Sequence, residues 1–217
     1  MSRASAAHAE ALHRALGEVH GVQTQGLGVS PAGRTDGEIA RLLLLGAEID
    51  AERIDDGTSA VREACTRFYD ELCPPSLTDK VVPGIPELLE WLAGRDHVQL
   101  SLVTGNYEPV ARLKLARAGI GGYFPAGQGG FGSDSEDRAV LPAIARGRAG
   151  TDGVPHPRET TLVIGDTPRD IACARADGIR CLAVTTGPFE AAQLHDADGV
   201  AEHADQLREL LTAALDS

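Results

Sequence analysis

Thr161-Leu162-Val163-Ile164-Gly165-Asp166-Thr167-Pro168-Arg169-Asp170-Ile171 is the stretch on which the fold turns. Its apolar run, Thr161 to Ile164, is bounded by a glycine and reads as a buried strand. The strand delivers Asp166 to its tip, and Gly165 permits a tight backbone there. Pro168 opens a helix that runs to Ala176, where a missing N–H costs nothing. Asp170 lies one helical turn beyond Asp166. Two carboxylates so placed can hold Mg²⁺, which takes hard oxygen ligands and keeps several waters. The same spacing also suits Asp166 as an N-cap and Asp170 as a first-turn acid favoured by the helix dipole. Spacing alone leaves both open.

Downstream, Gly178 ends that helix, Arg180 to Val184 is a further strand, and Val200 starts a last short one. Ala204 to Leu215 is an amphipathic closing helix. Upstream, strands and helices alternate back to about Lys80. Pro86 to Ala93 is a helix, Val98 to Val103 an apolar strand, and Pro109 to Ala118 a helix stopped by Gly119. The glycine-rich stretch Tyr123 to Phe131 holds a short strand, and Arg138 to Arg148 is a helix. His156 lies in a proline-bounded loop, Gly153 to Arg158. Such alternation implies a parallel sheet with helices on both faces, the α/β class. Ligands bind such sheets at the carboxyl ends of the strands. Two polar clusters sit at such ends, Gly165-Asp166-Thr167 and Thr104-Gly105-Asn106. A Thr hydroxyl and backbone N–H groups ahead of a helix can hold a phosphate. The second cluster also reads as an ordinary turn with Thr104 as a cap.

Before Lys80 the pattern is helical and holds no convincing strand. Ala6 to Val19 carries Ala9, Leu12, Leu16 and Val19 at helical spacing. Thr35 to Ala47 opens on Thr35 with Glu38 three residues on, the arrangement of a capping box. A third helix is expected from about Ser59 to Leu72, stopped by Pro74 and Pro75.

The 217 residues are 42% hydrophobic, which fits a globular chain. The formal net charge of −12 and the lack of any Lys/Arg run exclude a nucleic-acid binder. Acidity does not exclude small phosphate ligands, because a metal ion can supply positive charge locally. No stretch approaches the roughly 18 apolar residues of a membrane span. The segment Met1 to Ala15 has no apolar core and does not read as a signal peptide. Cys65, Cys73, Cys173 and Cys181 form no C-x-x-C pair, so reduced, partly buried thiols in a cytoplasmic protein are expected. His8, His13 and His20 follow the first helix without i, i+4 spacing and are expected at its surface. Trp91 and Tyr123 are expected to be packing residues.

Leu102-Val103-Thr104-Gly105-Asn106, followed about 60 residues later by Gly165-Asp166-Thr167-x-x-Asp170-Ile171, resembles motifs two and four of the haloacid dehalogenase-like hydrolase superfamily. The likeness covers essentially the whole chain. Residues 1–80 resemble its helical cap and residues 81–217 its Rossmann-like, doubly wound core. Gly33-Arg34-Thr35-Asp36 is similar to a cap loop of phosphoglycolate-phosphatase-like members. The resemblance implies that Thr104 bonds the transferring phosphoryl group, helped by the backbone of Gly105 and Asn106. It implies that Asp166 ligates Mg²⁺ and that Asp170 holds the metal directly or through water. The family's third motif is a basic residue, usually Lys in a Lys-Pro pair, and that pair is absent. Arg138 in Ser135-Glu136-Asp137-Arg138 is the best-placed substitute, since guanidinium can fork onto a phosphate oxygen. It also reads as an ordinary surface arginine. Lys114, mid-helix, is placed second.

One departure is large. The family's first motif is an Asp-x-Asp on its first strand, whose first Asp attacks phosphorus and whose second acts as general acid and base. No Asp-x-Asp on an apolar strand occurs in this sequence. Asp50 is expected in a loop, and Asp55-Asp56 has the wrong spacing. In the family that strand lies between the strands ending here in Thr104 and Gly165. Without it each unpaired buried backbone group would cost about 1–3 kcal/mol, against a total stability of about 5–15 kcal/mol. The expectation is a gene product beginning roughly 10–20 residues upstream, with Met1 an internal methionine.

The function expected is a Mg²⁺-dependent phosphatase of a small phosphorylated metabolite, working through an aspartyl-phosphate and inactive as written. The alternative is an inactive remnant that binds phosphate, metal or a partner, for instance by strand addition. A dehalogenase needs no Mg²⁺ and fits the Asp166/Asp170 pair less well. A mutase is not separated from a phosphatase.

Overall fold

The computed structural model describes residues 6–215; the expectation about Met1 lies outside them. Helices α1 (Ala6–His20), α2 (Asp36–Gly46) and α3 (Ala51–Leu72) make up the first third. Thr35 caps α2, its hydroxyl accepting from the Glu38 N–H at 3.0 Å. Only half the expected capping box forms, because the Glu38 carboxylate turns to Arg34 at 3.1 Å.

Helix α3 starts at Ala51, not at about Ser59 as the sequence suggested. The Asp50 side chain accepts from the Arg53 N–H at 2.9 Å and sets the earlier start. The helix therefore runs through Gly57, which costs about 1 kcal/mol relative to alanine. A Cβ at Gly57 would stand 2.6 Å from the His20 ring, so the glycine lets the end of α1 close onto α3.

His20 is thus not a surface residue. It is 4% exposed, and neither ring nitrogen has a partner. Burial, then the charge of Arg53, hold its pKa below the ordinary histidine value. The fold keeps this imidazole neutral, whereas the unfolded chain protonates it below about pH 6.5. Stability is therefore expected to fall as pH drops below that value. Urea unfolding at pH 7.5 and 5.5 should show a smaller drop for His20→Leu than for the natural chain. Equal drops would refute the assignment.

The rest of the chain alternates: α4 (Ile85–Ala93), β1 (Val103–Thr104), α5 (Glu108–Arg117), β2 (Gly130–Phe131), α6 (Leu141–Ala149), β3 (Leu162–Gly165), α7 (Pro168–Ala176), β4 (Arg180–Val184), β5 (Gly199–Ala201) and α8 (Ala204–Leu215). All strand pairs are parallel, as the alternation required. Strand β4 shows the two-faced burial of such a sheet. Its Leu182 and Val184 pack with Leu88 and Leu92 of α4 and Leu207 and Leu211 of α8. Its Cys181 and Ala183 pack the other way, with Ile171 and Ala174 of α7. All four cysteines are free and buried.

The strands form two sheets, β1–β2 and β3–β4–β5. Among the described residues no ladder joins β1 to β3. This accounts for a second correction: the strand expected over Val98 to Val103 is reduced to Val103–Thr104. A strand paired along one edge only has half the backbone bonds that would hold it extended. The change of pattern near Lys80 is not a break in packing. Leu12, Leu16, Leu44 and Phe68 of the helical segment share one core with Leu89, Tyr107 and Val110. No helix among the described residues is long and apolar enough to cross a membrane.

Candidate active site

Three turns and one loop meet at the carboxyl ends of β1 and β3. The first turn, 104–106, folds on itself. The Thr104 hydroxyl accepts from the Asn106 N–H at 3.2 Å, and the Gly132 N–H donates to the carbonyls of Thr104 (3.0 Å) and Asn106 (2.9 Å). Loop 33–36 lies directly on this turn. The Asp36 N–H donates to the Gly105 carbonyl at 2.7 Å, and a Cβ at Gly105 would stand 2.1 Å from the Arg34 carbonyl oxygen.

The other end of the same loop reaches the turn after β3. Gly33 has φ of +68°, and a Cβ there would stand 2.7 Å from the Arg169 side chain and 2.8 Å from the Thr167 hydroxyl. The third contact is with the segment after β2. The Thr35 hydroxyl donates to the Glu136 carbonyl at 2.8 Å, and Arg41 forks onto the Glu136 carboxylate at 2.5 and 2.9 Å. Among the described residues no hydrogen bond joins turn 104–106 to turn 166–170; loop 33–36 spans them.

In the turn after β3 the two carboxylates differ. Asp170 is 5% exposed and fully engaged. Its Oδ2 accepts from the N–H groups of Asp166 (3.0 Å) and Thr167 (2.9 Å) and from the Thr167 hydroxyl (2.9 Å). Its Oδ1 accepts from Arg138 at 2.5 Å. Asp170 thereby completes a capping box with Thr167 at the start of α7, the structural role that its spacing allowed. Among the described residues no side chain donates a hydrogen bond to the carboxylate of Asp166, which is half-buried at the strand tip. Burial first, then the charge of Asp170, hold its carboxyl above the usual range. The loop after β4 closes in on it: a Cβ at Gly187 would stand 2.5 Å from Asp166 Oδ2. A cation beside Asp166 would relieve both causes of that raised pKa. One free carboxylate with a second one beside it suits Mg²⁺, which binds through one or two carboxylates, waters and substrate oxygens. Among the described residues no cluster of three or more His, Cys, Asp or Glu could hold a metal by protein ligands alone.

Arg138 is not a free surface arginine. Its side chain is 15% exposed and pairs with Asp170, while its buried Nε has no partner. The guanidinium is thus held by Asp170 on one side only, with its Nε–H unsatisfied. The carboxylate nearest turn 104–106 is Asp36, 1% exposed. It accepts from the Tyr107 N–H (2.8 Å), His8 Nε2 (3.1 Å) and Asn106 Nδ2 (3.3 Å), so it is not open as a nucleophile. Asp50 caps α3 and Asp55 pairs with Arg41 at 2.6 Å, so both serve structure.

The sequence reading placed Lys114 second to Arg138 because of its mid-helix position. Lys114 is buried, and its ammonium donates to Asn106 Oδ1 at 2.7 Å. A signal was present: Val110 and Lys114 stand four apart, on one face of α5, and Val110 belongs to the core. His8 bonds Asp36, and His13 bonds the buried Thr24 at 2.7 Å, so neither is a plain surface residue. Trp91 packs under Arg95 and Arg208, at 4.3 and 4.8 Å, and Tyr123 lies against the first core.

The chain is similar to several known proteins. Residues 8–175 match the family described as haloacid dehalogenase-like hydrolase. Phosphoglycolate phosphatase 1 of Pseudomonas aeruginosa is 28% identical over 165 residues, 73% of this chain and 56% of the relative. Phosphoglycolate phosphatase of Pseudomonas putida is 27% identical over 174 residues, 79% of this chain and 60% of the relative. The chain thus spans less than two thirds of the length of these relatives. Among solved structures, a hydrolase from Pseudomonas syringae superposes with a TM-score of 0.63 at 19% identity, covering 95% of this chain and 90% of that one. Beta-phosphoglucomutase from Clostridium difficile superposes with a TM-score of 0.61 at 16% identity, covering 96% and 89%.

Proposed function

The chain belongs to the haloacid dehalogenase-like hydrolases, and on that premise we propose that it is a phosphatase of a small phosphorylated metabolite, dependent on Mg²⁺. Residues 1–80 act as its cap and 81–217 as its core. The observation that carries the reading is the meeting of turn 104–106, Arg138 and the Asp166/Asp170 pair under loop 33–36. A phosphoglycolate-type substrate is in keeping with the relatives in Pseudomonas.

In this reading Thr104 and the backbone N–H groups of Gly105 and Asn106 orient the phosphoryl group. Arg138, held in place by Asp170, meets its developing negative charge with its guanidinium. Asp166 would hold the metal, with Asp170 one water away because its own oxygens are taken. Bound there, Mg²⁺ would neutralise charge between the phosphate and an attacking carboxylate. Loop 33–36 excludes water and selects the substrate.

The attacking aspartate is not among these residues, and the open edges of β1 and β3 are where we place the strand that brings it. Its carboxylate oxygen would bond to phosphorus as the ester oxygen leaves and takes a proton from a neighbouring acid. Water then releases inorganic phosphate and restores the carboxylate.

The test is hydrolysis of p-nitrophenyl phosphate with Mg²⁺, by this chain and by the same chain extended upstream with its own codons. The chain alone is expected to turn over negligibly and the extended one to be active. Asp166→Asn in the extended chain should lower kcat by roughly a hundredfold or more. Equal inactivity of both chains would refute the enzyme reading. It would favour a phosphate- or partner-binding protein, for which the saturated Asp36 and the two open strand edges already speak.

A further inference from the structure

Lys114 is the one buried lysine among the described residues, and its surroundings form a closed ring. Its ammonium donates to Asn106 Oδ1 (2.7 Å) and lies 3.1 Å from His8 Nδ1. The Asn106 amide then donates through Nδ2 to Asp36 Oδ1 (3.3 Å), and His8 Nε2 lies 3.1 Å from Asp36 Oδ2. Hydrogen-bond chemistry gives every member one consistent role. An ammonium can only donate, so His8 Nδ1 accepts and its Nε2–H donates to the carboxylate. The Asn106 amide is oriented by the same logic, oxygen toward Lys114 and nitrogen toward Asp36. The third side of the ammonium faces the Tyr69 ring, 5.5 Å from its centroid. A positive and a negative group are thus joined through two relays, each bonded to both.

The ring crosses three parts of the chain. His8 belongs to α1, Asp36 is the first residue of α2, where the loop over the site ends, and Asn106 and Lys114 belong to the phosphate turn and to α5 behind it. Burial lowers the pKa of Lys114, while the charge of Asp36, with smaller effects from Cys65 and Cys73, raises it. Removing the ammonium would leave the Asp36 carboxylate without its counter-charge. It would also free the Asn106 amide, whose backbone N–H bonds the Thr104 hydroxyl.

We propose that Lys114 is a positioning residue: through Asn106 and His8 it holds Asp36, and so loop 33–36, shut over turn 104–106, coupling loop closure to phosphate binding. The phosphate half of this rests on the phosphatase reading; the closure half does not. The coupling expected is of the size usual between two linked sites, about tenfold.

The test uses the full chain, inorganic phosphate as the probe, and amide hydrogen exchange. Lys114→Met is expected to bind phosphate about tenfold more weakly. Exchange of amides 34–37 and 104–107 should speed by a similar factor, while those of β4 and α7 keep their natural rates. His8→Ala opens the ring from its 13%-exposed member and keeps both charges, so a smaller change of the same pattern is expected. If Lys114→Met does not fold, His8→Ala decides by the same criteria. Unchanged phosphate affinity with unchanged loop exchange would overturn the proposal. So would faster exchange spread evenly over the chain, the mark of a merely structural lysine. If the chain binds no phosphate, the phosphate half of the proposal is overturned, while the phosphatase reading still stands or falls with the activity of the extended chain. The exchange pattern alone then decides whether the ring holds the loop.

Discussion

Replacing Arg146 by methionine is expected to lower the unfolding free energy by about 3 kcal/mol, the lower end of the cost of breaking a buried ion pair from one side. Arg146 lies on α6 and forks onto Asp177 at the end of α7, with Nε–Oδ2 at 2.6 Å and Nη2–Oδ1 at 2.8 Å. The two side chains are only 8% and 2% exposed. A third bond, 2.6 Å to the His156 carbonyl, holds the loop before β3. Methionine fills much of the volume but leaves the Asp177 carboxylate in the interior. Arg158, 3.2 Å away and half exposed, would still face it, which is why the lower end of the range applies. Arg158→Ala, at an exposed position, should cost less than about 1 kcal/mol.

The same pair predicts a pH dependence. The bond to Arg146 holds the Asp177 carboxyl below the usual carboxylate range. A depressed carboxylate contributes stability above its unfolded pKa, about 3.9, that is lost as pH falls through the folded value. Urea unfolding between pH 7 and pH 3 should show a shallower acid loss in Arg146→Met than in the natural chain. A change at pH 7 of under 1 kcal/mol would mean that the pair does not hold α6 against α7.

Gly105→Ala is expected to cost about 2–3 kcal/mol and to weaken phosphate binding at the same time. The added Cβ would stand 2.1 Å from the Arg34 carbonyl oxygen and 2.9 Å from Thr35 Cα. Both are backbone atoms, so no side chain can swing away. Loop 33–36 would have to lift off turn 104–106, giving up the 2.7 Å bond from the Asp36 N–H to the Gly105 carbonyl. Gly122→Ala is the control: nothing lies within 4 Å of its Cβ, and its backbone is not left-handed. It should be neutral within about 0.5 kcal/mol or slightly stabilising. Thermal melts and phosphate titrations of the two variants give the comparison. Matching behaviour would show that loop 33–36 does not rest on the turn.

What the sequence determined by itself is whatever depends on neighbours along the chain. The apolar run ending at Gly165, the proline at the start of α7 and the strand–helix alternation to Ala204 were all legible, because periods of 2 and 3.6 residues are local properties. So was the Thr35 cap on α2, made by a residue only three positions away. The Asp166/Asp170 pair was legible as a pair. Its division into one open and one saturated carboxylate was not, since Arg138 approaches from 32 residues away. Tertiary structure alone decided the rest. The ring around Lys114 joins residues 28, 70 and 106 positions apart, and no spacing rule reaches that far. The end of α1 closes onto α3 because Gly57 leaves room for His20, and β1 shrinks to two residues because only one of its edges is paired. A side chain's chemical type is written in the sequence, but its partners exist only once distant segments have been brought into contact.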